Sequence, residues 1–250
     1  TPIKSSAASD VYKRQGEAGA IKYFSDAKGN KLTLSDVYVK PQDGMDLQLT
    51  IDINIQKSVE RELDNVVNMM NPDMALAVVM NPKTGEVLAM SSRPTFDPNN
   101  YKNYSSEVLS RNLPIWASYE PGSTQKIITT AASIEEKVID IYNEHFFDSG
   151  GVTVDGARIR CWKAGGHGDQ TFLQVLQNSC NPGFVLMGER LGKEKLFSYL
   201  DLFGFGQKTG IDLNGEGKGI IFTLSSVGNV ELATTAFGQG ISVTLSLIHI

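Results

Sequence analysis

The chain has 250 residues, of which 41% are hydrophobic and 20% charged, and this ordinary globular composition excludes wholesale disorder and fibrous repeats. The formal net charge is −5 and no run of five basic residues occurs, so nucleic acid is not an expected partner. The longest apolar run, residues 75–80, is far shorter than the roughly 18 residues of a membrane span. Two cysteines, three histidines and no Cys-x-x-Cys pair exclude a disulfide-stapled scaffold and lead us to expect neither a metal nor a cofactor.

The first forty residues are polar and Gly-rich with only weak strand signals, at 31–34 and 37–39, whereas strand and helix patterns alternate clearly from 46 to 90. From Asn54 the apolar residues recur every three or four positions, which predicts an amphipathic helix capped by Asp52 or Asn54. Turn residues at 81–85 separate two apolar runs, so a β-hairpin is predicted after this helix. The predicted strands are 31–34, 37–39, 46–51, 75–80 and 87–90.

The rest of the chain has mostly helical patterns. A loop rich in Pro, Asn and Ser spans 91–112. Helices are predicted at 123–136, 170–178, 182–191, 193–203 and from 231 onward, with loops at 204–206 and 214–219. A hairpin followed by a mostly helical stretch predicts an α+β fold.

Ser123 and Lys126 have the spacing of a serine nucleophile and its base. Residues three apart on a helix share one face, so the amine comes within reach of the hydroxyl, and the helix N-terminus favours a developing oxyanion. The spacing alone is weak evidence, because Ser25 and Lys28 repeat it in a stretch without helical pattern. Taken by itself, Ser123 is more simply a helix cap.

Two further short motifs are equally common by chance. Ser179-Cys-Asn181 lies between two predicted helices, and Ser110-Arg-Asn112 is a second copy of the triplet. Lys-Thr-Gly occurs at 83–85 and at 208–210, and both copies are interpreted as turns.

Together these motifs form the set shared by penicillin-binding proteins and class A β-lactamases. Much longer strings resemble class B penicillin-binding proteins, and the segment 159–168 leading into Ser179 resembles their sporulation branch. The resemblance covers 41–244 and implies the transpeptidase fold, a serine acyltransferase fold with a helical subdomain. The strings that carry it are 47–56, 80–90, 119–126, 203–213 and 231–240.

The resemblance implies a role for each matched residue. Ser123 would attack the terminal D-Ala-D-Ala bond and form an acyl-enzyme, Lys126 would accept its proton, and Ser179 would relay a proton to the leaving amine. Asn181 would bind the donor peptide. The functional Lys-Thr-Gly of the family follows much later than 208–210, so we expect a truncated transpeptidase domain that is inactive by itself.

Domain boundaries follow from the same resemblance. Residues 1–40 are expected to be the remnant of an N-terminal pedestal domain, with 5–15 non-native, and 41–243 the N-terminal part of the transpeptidase domain. Residues 244–250 break the pattern and are expected to be a non-native, exposed tail. An upstream segment would anchor the protein at the outer face of the membrane.

Five other residues have two possible interpretations each. Cys161 and Cys180 are either buried free thiols or a redox pair beside the second triplet, since disulfides persist outside the membrane. His167 lies between glycines and is expected to have a structural or rim role and not to act as a base. Trp116 and Trp162 would pack or line a substrate groove.

The leading interpretation is therefore a peptidoglycan D,D-transpeptidase that binds stem peptides and β-lactams and works with a glycan polymerase or division-type membrane partner. One alternative is a β-lactam sensor or hydrolase, although the class A Glu-x-x-Leu-Asn arrangement is missing from the sequence. A second alternative is a non-catalytic scaffold on the same fold. Acyl-enzyme lifetime and a Ser123→Ala variant distinguish the three.

Overall fold

The computed structural model describes residues 15–32 and 37–249, without the side chains of residues 37, 248 and 249. The described chain forms two compact units, one of residues up to 112 with 212–215 and one of 113–211 with 216 onward. The helices are α1 Ile53–Met70, α2 Ser106–Ser110, α3 Leu113–Trp116, α4 Lys126–Glu135, α5 Phe172–Gln177, α6 Asn181–Leu202 and α7 Asn229–Thr235. The 3₁₀ turns are Pro98–Asn103, Gly122–Gln125, Leu224–Ser226 and Leu245–His249.

The described strands pair in antiparallel twos. The pairs are β1–β2, β3–β4, β5–β10, β6–β9 and β7–β8. The strands are β1 Ala20–Lys22, β2 Val37–Val39, β3 Ala75–Met80, β4 Val87–Arg93, β5 Ser118–Tyr119, β6 His145–Asp148, β7 Gly151–Val154, β8 Ala157–Arg160, β9 Gly168–Thr171 and β10 Val243–Thr244.

In the first unit, α1 packs on the predicted hairpin β3–β4. The Asp52 carboxylate accepts hydrogen bonds from the Asn54 and Ile55 backbone N–H groups, at 2.8 and 3.1 Å, as the capping prediction required. The Gln56 side chain bonds both the N–H and the C=O of Met90, at 2.9 and 3.1 Å. The helix is therefore held to β4 by polar contacts, and Leu63 is its buried residue.

Two strand predictions in this unit need comment. Residues 46–51 form no strand, and the alternating Leu47, Leu49 and Ile51 are exposed, because this segment has no ladder partner among the described residues. The prediction at 31–34 lies partly outside the described residues, and that of a non-native stretch at 5–15 almost wholly outside them.

The second unit has a helical core formed by α4, α6 and α7. Gly192 has a φ of +73° and interrupts α6, so the two helices predicted around it are confirmed as two segments of one element. Gly188 lies on α6 where a Cβ would meet the Ala236 side chain at 2.6 Å, which explains the close approach of α6 to the end of α7. The starts of α4 and α6, at Lys126 and Asn181, both contribute to the site described below.

A pair of nested hairpins covers one side of this core. Strands β6 and β9 pair from His145↔Thr171 to Asp148↔Gly168, and the hairpin β7–β8 is inserted between them. These four strands are not predictable from the sequence, because each has only four residues and little alternation.

The expectation of an exposed tail is wrong for its first residues. Thr244 pairs in β10 with Ser118 and is 4% exposed, and Ser246 is also 4% exposed. The predicted division into 1–40, 41–243 and 244–250 remains a prediction.

Candidate active site

A tight turn places Ser123 and Lys126. The 3₁₀ turn Gly122–Gln125 runs directly into α4, which begins at Lys126. Gly122 has a φ of +56° and donates a hydrogen bond of 2.9 Å from its N–H to the Gly238 carbonyl. A Cβ at Gly238 would lie 2.0 Å from the Gly122 carbonyl oxygen, so the loop after α7 clamps the turn through glycine.

A helix end places Ser179. The Ser179 N–H bonds the Leu176 carbonyl and the Cys180 N–H bonds the Val175 carbonyl, both at 3.0 Å, which is the Schellman pattern for a helix C-terminus. The pattern requires a left-handed residue, and Ser179 has a φ of +51°. Glycine is the usual residue there, so a serine at this position pays conformational energy to present a hydroxyl.

The four predicted residues meet in one hydrogen-bond network. The Lys126 Nζ donates to three acceptors: the Ser179 carbonyl at 2.9 Å, the Ser179 Oγ at 3.0 Å and the Asn181 Oδ1 at 2.6 Å. The Ser179 Oγ donates to the Ser123 Oγ at 3.0 Å. The three bonds of Lys126 match the three N–H donors of an ammonium. The Ser179 hydroxyl lies between the Lys126 amine and the Ser123 hydroxyl, which were predicted to contact each other directly.

Burial tunes this network. Lys126 is 2% exposed, whereas the Ser123 side chain faces solvent. Burial lowers the pKa of Lys126 to about 8, against the opposing effect of the nearby cysteines. The ammonium also lies 5.0 Å from the centre of the Phe184 ring. An amine of this kind exchanges protons near neutral pH, which a solvated lysine does not.

Both Lys-Thr-Gly copies have structural roles, as predicted. At 83–85 the motif forms the β3–β4 turn, where the Gly85 N–H bonds the Asn81 carbonyl at 2.9 Å. At 208–210 it wraps the buried Glu216 carboxylate, which accepts bonds from Thr209 and from the Gly210 N–H.

A second cluster, which the sequence analysis missed, lies directly behind Ser179. Cys180, Cys161 and His167 surround the Asp148 carboxylate, and all four side chains are buried. The cysteines are free thiols. His167, for which a structural or rim role was expected, has a buried side chain and does not lie at a rim. Asp148 had no recognisable signal, because its partners follow 13, 19 and 32 residues later without a motif spacing.

The two tryptophans differ in position. The Trp162 indole N–H donates to the Asn178 carbonyl at 2.8 Å while its ring is 69% exposed, so it lies next to the second triplet. Trp116 is half-exposed at the end of α3.

Comparison with known proteins identifies the family of the chain. Residues 75–249 match the family described as the penicillin-binding protein transpeptidase domain. The chain belongs to this family. It is 60% identical over 231 residues to stage V sporulation protein D of Bacillus subtilis, and those residues are 92% of this chain and 36% of that protein. The predicted resemblance to class B penicillin-binding proteins and to their sporulation branch is confirmed.

Solved structures of the family share the fold. A penicillin-binding protein 2X from Streptococcus thermophilus superposes with a TM-score of 0.79 at 29% identity, over 98% of this chain and 35% of that one. Penicillin-binding protein 3 of Mycobacterium tuberculosis, solved with ampicillin, gives 0.76 at 31% identity, over 84% and 46%. The predicted α+β transpeptidase fold is confirmed.

The match is to part of each relative. The chain spans about a third of the length of the curated relatives it matches, among them PbpB of Mycolicibacterium smegmatis, which is 34% identical over 81% of this chain and 31% of its own length. Among the described residues, no helix has the length and apolar character that crossing a bilayer requires.

Proposed function

We propose that the chain carries the acyl-transfer machinery of a peptidoglycan D,D-transpeptidase. The single observation that carries this proposal is the continuous network from Lys126 through Ser179 to Ser123, with Asn181 on the same ammonium. The relatives named peptidoglycan D,D-transpeptidase, such as MrdA of Escherichia coli at 32% identity, support the same activity.

In the first step, the Ser123 Oγ attacks the carbonyl carbon of a terminal D-Ala-D-Ala bond. The hydroxyl proton passes to the Ser179 Oγ at 3.0 Å, and Ser179 passes its own proton to a neutral Lys126. The Ser123 N–H at the start of the helical turn is one donor for the oxyanion. The C–N bond breaks, and the same relay run backwards delivers a proton to the departing D-Ala amine.

In the second step, the amine of another stem peptide attacks the Ser123 ester. The relay accepts the proton that the attacking amine loses and returns a proton to the Ser123 Oγ as the ester bond breaks, so a new amide bond cross-links the two peptides. Asn181 has its Oδ1 on Lys126 and its Nδ2 3.4 Å from the Arg160 carbonyl, so it is held in one orientation. We assign it to fixing Lys126 and to binding the donor peptide backbone.

β-Lactams are the expected inhibitors, because their strained amide would acylate Ser123 in place of the donor peptide. By this proposal, the natural protein acts on the outer face of the membrane, in spore-wall or cell-wall synthesis. A membrane anchor outside this chain and a glycan-polymerase partner are further parts of the proposal.

The test is labelling of the full-length natural protein by fluorescent penicillin. We expect covalent label on the peptide that contains Ser123, and none in the Ser123→Ala variant. Ser25→Ala is the matched control, because Ser25 has the same spacing to Lys28 without the turn. Labelling that survives Ser123→Ala would refute the proposal.

The lifetime of the label separates the alternatives. A long-lived acyl-enzyme together with cross-linking of stem peptides supports the transpeptidase. A long-lived label without cross-linking would identify a sensor, and rapid release of hydrolysed drug a hydrolase. Full rescue of the cellular role by Ser123→Ala would identify a scaffold.

A further inference from the structure

Four side chains outside the acyl-transfer network converge on one point in the second unit. We call them the four-ligand cluster: Asp148, Cys161, His167 and Cys180. Each offers one atom of a kind that binds metals, and these atoms all lie within 4.8 Å of one another. The end of β6, the loop between β8 and β9 and the start of α6 contribute them, so the cluster is a product of the fold and not of one local segment.

The contacts inside the cluster are short and centre on one carboxylate oxygen. The Oδ2 of Asp148 lies 2.9 Å from the Nδ1 of His167 and 3.3 Å from the Sγ of Cys180. The same Nδ1 lies 3.3 Å from the Sγ of Cys161. Two sulfur atoms, one imidazole nitrogen and one carboxylate oxygen therefore face each other without an intervening side chain.

The surrounding backbone holds the carboxylate in place. The Oδ1 of Asp148 accepts a hydrogen bond from the Gly150 N–H at 2.8 Å, and Oδ2 accepts one from the His167 N–H at 3.0 Å. A Cβ at Gly166 would lie 2.2 Å from the Asp148 carbonyl oxygen, so the loop closes over the cluster only with glycine there. These bonds orient the Asp148 carboxylate as outer partners orient a metal ligand, whereas the buried Nε2 of His167 has no hydrogen-bond partner among the residues that the structure describes.

The dimensions suit a tetrahedral cation. Zinc bonds of about 2.3 Å to sulfur and 2.0–2.2 Å to nitrogen or oxygen give a ligand tetrahedron with edges of about 3.3–3.8 Å. The contacts of 2.9 and 3.3 Å would open by a few tenths of an ångström to reach these edges, and the remaining separations of up to 4.8 Å would shorten. Thiolates select zinc over magnesium or calcium, which prefer oxygen ligands.

We propose that the four-ligand cluster binds one zinc ion as a structural site. Binding replaces the thiol protons of Cys161 and Cys180 by the metal, so two protons are released per ion. The imidazole binds through Nδ1 and carries its proton on Nε2. The proposal does not depend on the transpeptidase activity, because none of the four ligands belongs to the acyl-transfer network.

Metal content and cobalt spectroscopy of the full-length protein, purified with a non-thiol reductant and without chelator, test the proposal. We expect about one zinc per chain by elemental mass spectrometry, and, after exchange with Co²⁺, the intense visible bands of a tetrahedral site with thiolate charge transfer in the near ultraviolet. Zinc well below stoichiometry together with octahedral Co²⁺ spectra would overturn the proposal.

Variants show which residues bind the ion. Cys161→Ala and His167→Ala should each weaken Co²⁺ binding by more than the 10–100-fold typical of losing an outer partner. The matched control is His145→Ala, because His145 also pairs with a carboxylate, that of Asp169 at 2.8 Å, on the same β6–β9 pair but without thiols. Unchanged Co²⁺ spectra in both ligand variants would refute the assignment even if the wild-type protein bound metal.

Chelation gives a readout that needs no variant. Zinc shields both thiols, so chelator should increase the alkylation rate of Cys161 and Cys180 together, and added zinc should restore protection. Equal alkylation with and without chelator would contradict the proposal.

Discussion

Two substitutions of Ser179 can separate the conformational cost of its backbone from the role of its hydroxyl in acylation. Its φ of +51° places an L-amino acid in the left-handed region, which costs about 1–2 kcal/mol relative to glycine. Glycine also lowers stability by about 0.4–1 kcal/mol, because it increases the conformational entropy of the unfolded chain, and this offsets part of the difference. Ser179→Gly and Ser179→Ala both remove the hydroxyl, but only alanine keeps the Cβ. We therefore expect Ser179→Gly to be more stable than Ser179→Ala by roughly 0.5–1 kcal/mol.

The two variants should be equally poor in acylation. Both lose the hydroxyl that joins Lys126 to Ser123, and loss of a general acid–base group costs about 10²–10⁴-fold in rate. Denaturant unfolding measures the stability difference, and stopped-flow acylation by fluorescent penicillin measures the rate. If Ser179→Gly were the less stable variant, the left-handed assignment would be wrong. If either variant acylated at the wild-type rate, Ser179 would not relay the proton.

Three further predictions follow from the site. Gly238→Ala should lower the free energy of unfolding by about 2–3 kcal/mol in denaturant titration, because a left-handed φ combines with a backbone clash. The control Gly85→Ala has a similar φ and open space around the Cβ, so it should lose only about 1 kcal/mol. Equal losses in the two variants would contradict the clash. The acylation rate should rise about fivefold from pH 7 to 8 and level off above pH 9. The reason is that the pKa of Lys126 is lowered to about 8 and only the neutral amine accepts a proton. A rate that kept rising to pH 10 would refute this. Cys161 and Cys180, predicted as a redox pair, should form a disulfide when protein freed of metal by a chelator is treated with oxidised glutathione, which is reduced as the S–S bond forms. Thiols that can still be alkylated after this treatment would refute the pairing.

The local motifs were predictable because short segments determine them. The helix beginning near Lys126 and the break before Asn181 follow from periodicity and from Pro182, so the sequence placed each motif correctly at a helix start. Their meeting in space was predictable only through the family resemblance. The position of Ser179 between Lys126 and Ser123 depends on its left-handed φ, which no residue pattern indicated for a serine.

The features that were missed depend on distant pairing. Strands β6 and β9 are separated by 19 residues that contain another hairpin. Neither strand has the alternation of apolar and polar residues from which its pairing could be predicted. This pairing brings Asp148 beside Gly168 and so carries His167 to the carboxylate. A search for metal motifs by spacing could not succeed, since the register of short strands and not the spacing assembles the ligands.

Cys180 joins the two clusters of the second unit. It lies between Ser179 and Asn181, whose side chains bond Lys126, while its own sulfur contacts Asp148. Consecutive Cα atoms are about 3.8 Å apart, so a change in the Cys180 position cannot leave its neighbours where they are. Zinc binding and disulfide formation both act on this sulfur, and they exclude each other because one requires thiolates and the other consumes them. Removing zinc with a chelator should therefore slow acylation of Ser123 in the wild-type protein. The same chelator should leave acylation of a Cys161→Ala variant unchanged. A structural zinc site remote from the acyl-transfer network would not produce this difference.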